Sequence, residues 1–373
     1  APAPTLSPPP PAPDLPPVVG NPFTPGNVVS PERFIGRASY IKDIRDRLLT
    51  IGSISLVGEA RIGKSSLLCY LEAQLPHLVH GYTTDTYLPI YLSLDSVPTQ
   101  TAFAQAVIAR VIACLPPAAH PMPTTPATPT AMLTCFDCAH THRLRVVLLL
   151  DEFKTLLEHP HEFNEHFLGS LRSAYTQSKV ALVIATRQPL STIPALDTYF
   201  ANGMRQMQIE RFSPSEADQF LRQPHAYPFT PAERDLGKRA GACHPLRLQW
   251  AGSLLYESRY AQAHGATSCY HHADGRLLAS AGAHLQRDVS REYTYAMEMS
   301  RSPASRQPWP DWIGWLGRAT HAIGTSRSQL QDRLFGLGVV LGIIAIIIAS
   351  VIFWFGGLSW EQLRDLWGML NGA

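Results

Sequence analysis

The sequence predicts an α/β fold with a buried parallel sheet, on three observations. Residues 53–57, 145–150 and 180–185 are short, mostly apolar runs. Runs without alternation fit strands covered on both faces, as in a parallel sheet. Each of the three gives way at its C-terminal end to glycine, acidic or polar residues, where the ligands of open α/β sheets sit. A chain of 373 residues with 45% hydrophobic and 16% charged residues is long and apolar enough for a sizeable core in about two domains, which excludes bulk disorder.

The first run, Ser-Ile-Ser-Leu-Val, leads straight into Gly58-Glu59-Ala60-Arg61-Ile62-Gly63-Lys64-Ser65. This satisfies G-x-x-x-x-G-K-[ST] at every fixed position. The glycines allow backbone angles that turn successive N–H groups inward and make an anion nest. A helix is predicted over 66–75, with Leu67, Leu68, Leu71 and Leu75 on one face. Its N-terminus adds partial positive charge. Lys64 is expected to reach the β- and γ-phosphates of a nucleotide, and the Ser65 hydroxyl to take a Mg²⁺ position.

The second run ends in Asp151-Glu152-Phe153. Asp151 is expected to hold Mg²⁺ through a water, and Glu152 to orient and deprotonate the attacking water. A further strand is predicted over 87–94, between the phosphate loop and this acid strand. The run at 180–185 ends in Thr186-Arg187, and Arg187 is expected to sense the γ-phosphate or to cap the strand.

Prolines punctuate the remainder. Nine of the 32 prolines fall in residues 1–20, which reads as an extended linker, and six fall in 115–130, which reads as a surface loop within the domain. An alanine at position 1 behind such a linker leads us to expect an effector or sensor module, upstream or separate. Residues 334–360 contain no charge. Crossing ~30 Å of hydrocarbon takes about 20 helical residues, so a single transmembrane helix is expected at 334–357, contacting the lipid bilayer. Arg318, Arg327 and Arg333 precede it and Arg364 alone follows, which favours a cytoplasmic N-terminal side. Trp309, Trp312 and Trp315 read either as interfacial anchors or as packing. Residues 358–373 read as a short amphipathic tail, with a capping box from Ser359 to Gln362. Six cysteines are too few for a disulfide scaffold, and a net charge of +2 supplies no global field toward nucleic acid.

These residues resemble the AAA+/STAND group of phosphate-loop ATPases, in particular the bacterial AAA-like domains related to archaeal ATPases and to the NACHT and NB-ARC switches. The likeness covers about residues 21–260. It is carried by Phe34-Ile35-Gly36-Arg37, the phosphate loop through Ser66 and Leu68, Leu148 to Phe153, Ile184 to Arg187, Glu210 to Ala217, and Gly241-Ala242-Cys243-His244-Pro245. It implies a P-loop NTPase three-layer parallel sheet over 21–212 and a helical lid over 213–264, with ATP and Mg²⁺ as ligands. Glu210 to Ala217 would be the last core strand and the start of the next helix. Ile35, Gly36 and Arg37 would border the adenine; His244 and Pro245 would close over the nucleotide. Nothing in the resemblance covers the connector at 265–333.

Two soft-ligand clusters lack the spacing of a metal site. Cys135, Cys138, His140 and His142 have four zinc-type ligands, but too close together for a finger and where a helix end is expected. Cys269, His271 and His272 have no partner spacing. The function expected is a membrane-anchored, nucleotide-controlled switch that self-associates and signals, in bacterial defence or regulated death. The alternative is an ATPase acting on DNA, like the origin-recognition loaders; the charge balance and the apolar run speak against nucleic acid as a partner.

Overall fold

The apolar runs become the centre of a five-stranded parallel sheet in a computed structural model, which describes residues 20–119, 127–193, 196, 198–266, 268–272 and 277–299. The strands are β1 (Ile54–Val57), β2 (Thr86–Ser93), β3 (Leu144–Asp151), β4 (Val180–Thr186) and β5 (Arg205–Gln208), and they lie side by side in the order β2-β3-β4-β1-β5. Strand β4 therefore separates the strand that launches the phosphate loop from the strand that carries the acids. The C-terminal ends of all three open on the same edge.

Helices cover both faces. On one, α1 (Ala38–Leu48) and α2 (Lys64–Val79) bring Ile44, Leu48, Leu68 and Leu71 against Ile54, Leu56, Val147, Leu149 and Val183. The other carries α3 (Gln100–Cys114), α4 (Pro129–Thr141), α5 (Lys154–Glu158), α6 (Glu165–Thr176) and α7 (Thr198–Asn202). There Phe103, Phe136 and Phe167 meet Val146, Leu148, Leu150 and Leu182. Alternate residues of β3 thus feed two separate apolar layers. Each such side chain fully removed from water contributes roughly 1.5–3 kcal/mol.

A third apolar cluster belongs to a helical bundle of α8 (Pro214–Phe220), α9 (Pro231–Gly241), α10 (Pro245–Ala263) and α11 (Ala281–Met299). Helices α8 and α9 each open on a capping box, Ser213 with Glu216 and Thr230 with Glu233, followed by proline at the first turn. Phe23, near the start of the described chain, stacks on Phe229 within this cluster, so the leading segment belongs to the bundle before it reaches the sheet.

Several expected boundaries move. The helix behind the phosphate loop begins at Lys64, not residue 66, and runs to Val79. The expected proline-rich loop is shorter than 115–130: Thr128 caps α4 and Pro129 occupies its first turn. Residues 120–126 of that loop lie outside the described residues. The last strand precedes Glu210, because β5 is an edge strand with only Met207 buried and its polar sequence hides it from any apolar pattern. The connector contains α11, whose Ala281, Leu285 and Val289 recur at helical spacing and are buried in the bundle's apolar cluster beside α9 and α10. Among the described residues no helix is long and apolar enough to cross a membrane. The linker at 1–19, the apolar run at 334–357 and the tail at 358–373 lie outside them.

Candidate nucleotide site

The loop between β1 and α2 is shaped by its backbone. Gly58 admits no side chain, because a Cβ there would lie 2.9 Å from the Ile209 carbonyl oxygen. Arg61 and Gly63 are left-handed, at φ 62° and 97°, conformations that reverse the direction of successive amides. Gly63 caps α2 without any side-chain hydrogen bond, so the first amides of the helix are left without a capping acceptor.

Neighbouring elements hold the loop in place. The Gly58 amide donates to the Thr186 carbonyl at the end of β4, at 3.2 Å. The Arg37 guanidinium, buried at 4% exposure, donates from Nη2 to the Ile62 carbonyl at 3.2 Å and lies 4.6 Å over the Phe212 ring. Its own amide donates to Glu216 Oε1 at 2.5 Å. Gly36 and Arg37 therefore clamp loop to bundle, and Ile35 packs against the bundle cluster. The residues that border a cavity of about 190 Å³ near the start of α2 lie earlier in the leading segment. They include Thr24, Asn27, Val28, Val29 and Ser30, with Gln249 opposite. The Val29 amide donates to Ser66 Oγ at 3.1 Å.

The charged groups gather above the sheet edge. Lys64 Nζ donates to the Gly58 and Glu59 carbonyls at 2.9 and 2.8 Å. Burial pushes its ammonium below the ordinary lysine range, with Glu152 and Asp151 pulling the other way. Asp151, at the end of β3, is buried and accepts the Glu152 amide on Oδ1 at 3.0 Å and the Tyr91 hydroxyl on Oδ2 at 3.1 Å. Glu152 has φ 50°, a left-handed backbone for a residue with a long side chain, which turns the chain sharply off the strand. Its carboxyl is raised above the usual range by desolvation and then by Asp151. Arg187 stands exposed past the end of β4, and its positive charge acts on both Glu152 and Lys64.

The bundle adds one group. His244 caps α10 ahead of Pro245, behind the left-handed pair Ala242 and Cys243. Its ring is fully buried, and neither nitrogen makes a well-formed hydrogen bond, the Ala60 backbone of the phosphate loop being a polar neighbour rather than a full partner. Nε2 faces Glu59 Oε2 of the phosphate loop at 4.0 Å, while Arg211 approaches the same carboxylate at 3.6 Å. Desolvation lowers the His244 pKa to about 4, so at neutral pH the ring is uncharged. Tyr293 of α11 packs edge-on against it at 5.3 Å.

These residues fit a nucleoside triphosphate. The loop has an uncapped helix start, a reversed backbone and an ammonium with only carbonyls to hold. His244 has unfilled hydrogen-bonding capacity facing the loop. Sequence reasoning missed Tyr91, Arg211 and Tyr293, because their partners are distant in the chain. Three members of the two soft-ligand clusters are engaged structurally. Cys135 is a core residue, His140 contacts Arg145, and His271 is buried against Glu233. Among the described residues no three His, Cys, Asp or Glu side chains converge on a metal position.

Among solved structures, a Walker-type ATPase of Pyrococcus abyssi aligns at 12% identity and TM-score 0.49, over 82% of this chain and 88% of that one. The ORC1 protein of Aeropyrum pernix, solved in complex with DNA, aligns at 14% and 0.47, over 84% of each chain. The ORC2 protein of the same organism aligns at 14% and 0.46, covering 68% of this chain and 66% of that one. No curated protein matches. The family model described as Novel STAND NTPase 1 matches residues 24–239, more than half of the sequence, and the chain belongs to that family.

Proposed function

We propose that this chain is an ATP-binding and ATP-hydrolysing switch whose nucleotide state sets the arrangement of sheet core and helical bundle. Membership of an NTPase family supports nucleotide hydrolysis. The observation that carries the switch reading is His244. It is a sealed, unpartnered side chain of the bundle facing Glu59 of the phosphate loop, so both parts meet where the phosphates would lie.

In this reading the amides of Gly58 to Ser66 cradle the phosphates and Lys64 exchanges its loop carbonyls for phosphate oxygens. Ser65 and Asp151 would hold Mg²⁺, which neutralises charge on the phosphates when bound. Glu152, with a raised proton affinity, orients and deprotonates the attacking water. Arg187, just past the end of the middle strand, would respond to the terminal phosphate. We further propose that the ATP state favours self-assembly and signalling at a membrane, with the apolar run at 334–357 as the anchor and bacterial defence or regulated death as the setting. The uncharged run supports the anchor. A DNA-acting role has only likeness of fold in its favour, and a net charge of +2 offers no general attraction to the phosphate backbone.

The full-length chain should change its oligomeric mass when ATP and Mg²⁺ replace ADP. Lys64→Ala should weaken ATP binding by at least about 100-fold, roughly 2.7 kcal/mol, and remove the mass change. Unaltered ATP affinity of that variant in equilibrium dialysis would overturn the site.

A further inference from the structure

Strand β2 is an edge of the sheet, so its amides alternate between the β3 ladder and open space. Pro89 has no amide to satisfy, which suits an edge position. Tyr91, two residues on, has the same direction along the strand, and its amide donates to Glu72 Oε1 at 3.2 Å. Glu72 belongs to α2, the helix that starts at the phosphate loop, and also receives Arg110 of α3 at 2.9 Å. The backbone of Tyr91 is thus fixed to the same helix that presents Ser65.

From that anchor the phenol reaches Asp151, 60 residues away in sequence, and donates to Oδ2 at 3.1 Å. The other oxygen, Oδ1, accepts the amide of Glu152. Each carboxylate oxygen therefore carries one protein hydrogen bond and keeps one free lone-pair direction. A carboxylate held on both oxygens cannot rotate without breaking one of them.

We propose that Tyr91 is a positioning residue for the metal-side carboxylate: its hydroxyl sets the rotation of Asp151 and so tunes the affinity of the nucleotide site for Mg²⁺. The inference rests on reading Asp151 as the acid on the metal side. Groups that orient a metal ligand from behind commonly govern metal affinity without touching the metal. Tyr91 needs no contact with nucleotide to act, and Glu72 acts one step further back by holding the strand.

The test titrates Mg²⁺ against the full chain with a fixed concentration of a fluorescent, non-hydrolysable ATP analogue, alongside the analogue's affinity in EDTA. Tyr91→Phe removes one oxygen and should raise the Mg²⁺ midpoint about tenfold, with the EDTA affinity and the melting temperature unchanged. Asp151→Asn should abolish the Mg²⁺ dependence. An unshifted midpoint in Tyr91→Phe, where Asp151→Asn has lost its response, overturns the role of Tyr91 and leaves the site intact. A wild-type response in Asp151→Asn overturns the metal-side reading, and the inference with it. Should Tyr91→Phe fail to fold, Glu72→Leu, which leaves the Tyr91 amide without its acceptor, decides the matter: a midpoint raised about twofold to threefold supports the relay, and an unchanged one refutes it.

Discussion

Lys64, Asp151 and Glu152 at the end of the sheet, and Glu233, Arg259 and His271 in the helical bundle, are built from the same chemistry. In the bundle trio each group has its partners. Glu233, 1% exposed, accepts Arg259 through two bonds of 2.6 and 2.7 Å, His271 Nε2 at 2.6 Å, and the amide and hydroxyl of Thr230 at 2.6 Å each. His271 passes its other nitrogen to Ser258. Serine, histidine and glutamate stand in relay order there, yet the knot is sealed and Arg259 already neutralises the acid, so it braces α9, α10 and the segment before α11. At the sheet edge the groups hold one another loosely and keep unfilled capacity. Charge alone does not mark a site; unfilled hydrogen-bonding capacity does.

The contrast predicts different failures. Glu152→Gln should leave nucleotide affinity within a factor of about three and slow phosphate release by at least about 100-fold, roughly 2.7 kcal/mol of barrier. Release at the wild-type rate would remove Glu152 as the base and weaken the contrast. Glu233→Gln should instead cost about 3 kcal/mol of stability in urea unfolding, because it leaves a half-buried cation and a buried imidazole without their acid. Its effect on turnover should be small; a loss under 1 kcal/mol would show that the knot is no brace.

Acid sharpens the comparison. Burial alone would raise the Glu233 carboxyl, but its bonds from His271, Arg259 and Thr230 outweigh burial and hold the pKa down to about 2, against an ordinary value of 4.5. Its contribution is complete above pH 4.5 and is lost as the pH falls toward 2. His244 acts at milder pH. The unfolded chain takes up a proton there near 6.5, the folded chain only near 4, so stability falls as the pH drops through that window. His244→Phe keeps a ring beside Tyr293 and should flatten the slope of urea midpoints between pH 6.5 and 4. An unchanged slope would mean that another group titrates there.

The legible parts of the molecule were contiguous ones. The phosphate loop is eight consecutive residues, and β3 announces itself as an unbroken apolar run capped by two acids. Strand β5 was hidden because an edge strand with one buried side chain has no apolar period. Helix α11 was hidden because its narrow apolar stripe, Ala281, Leu285 and Val289, has meaning only against α9 and α10. The partnership of Tyr91 with Asp151 depends on β2 lying beside β3, which no local pattern encodes. Arg37 illustrates the same limit: its motif places it near the nucleotide, while its guanidinium is engaged with Ile62 and Phe212.

The open border of the sheet has a consequence for how copies can join. Along β2 one outward donor is missing at Pro89 and the next is occupied by Glu72; the opposite border, β5, is four residues long and contains Arg205. Neither margin offers a long template for an incoming strand. Polymerisation by strand addition at this sheet is thereby disfavoured, which leaves helices and loops as the surfaces open to a second copy among the described residues.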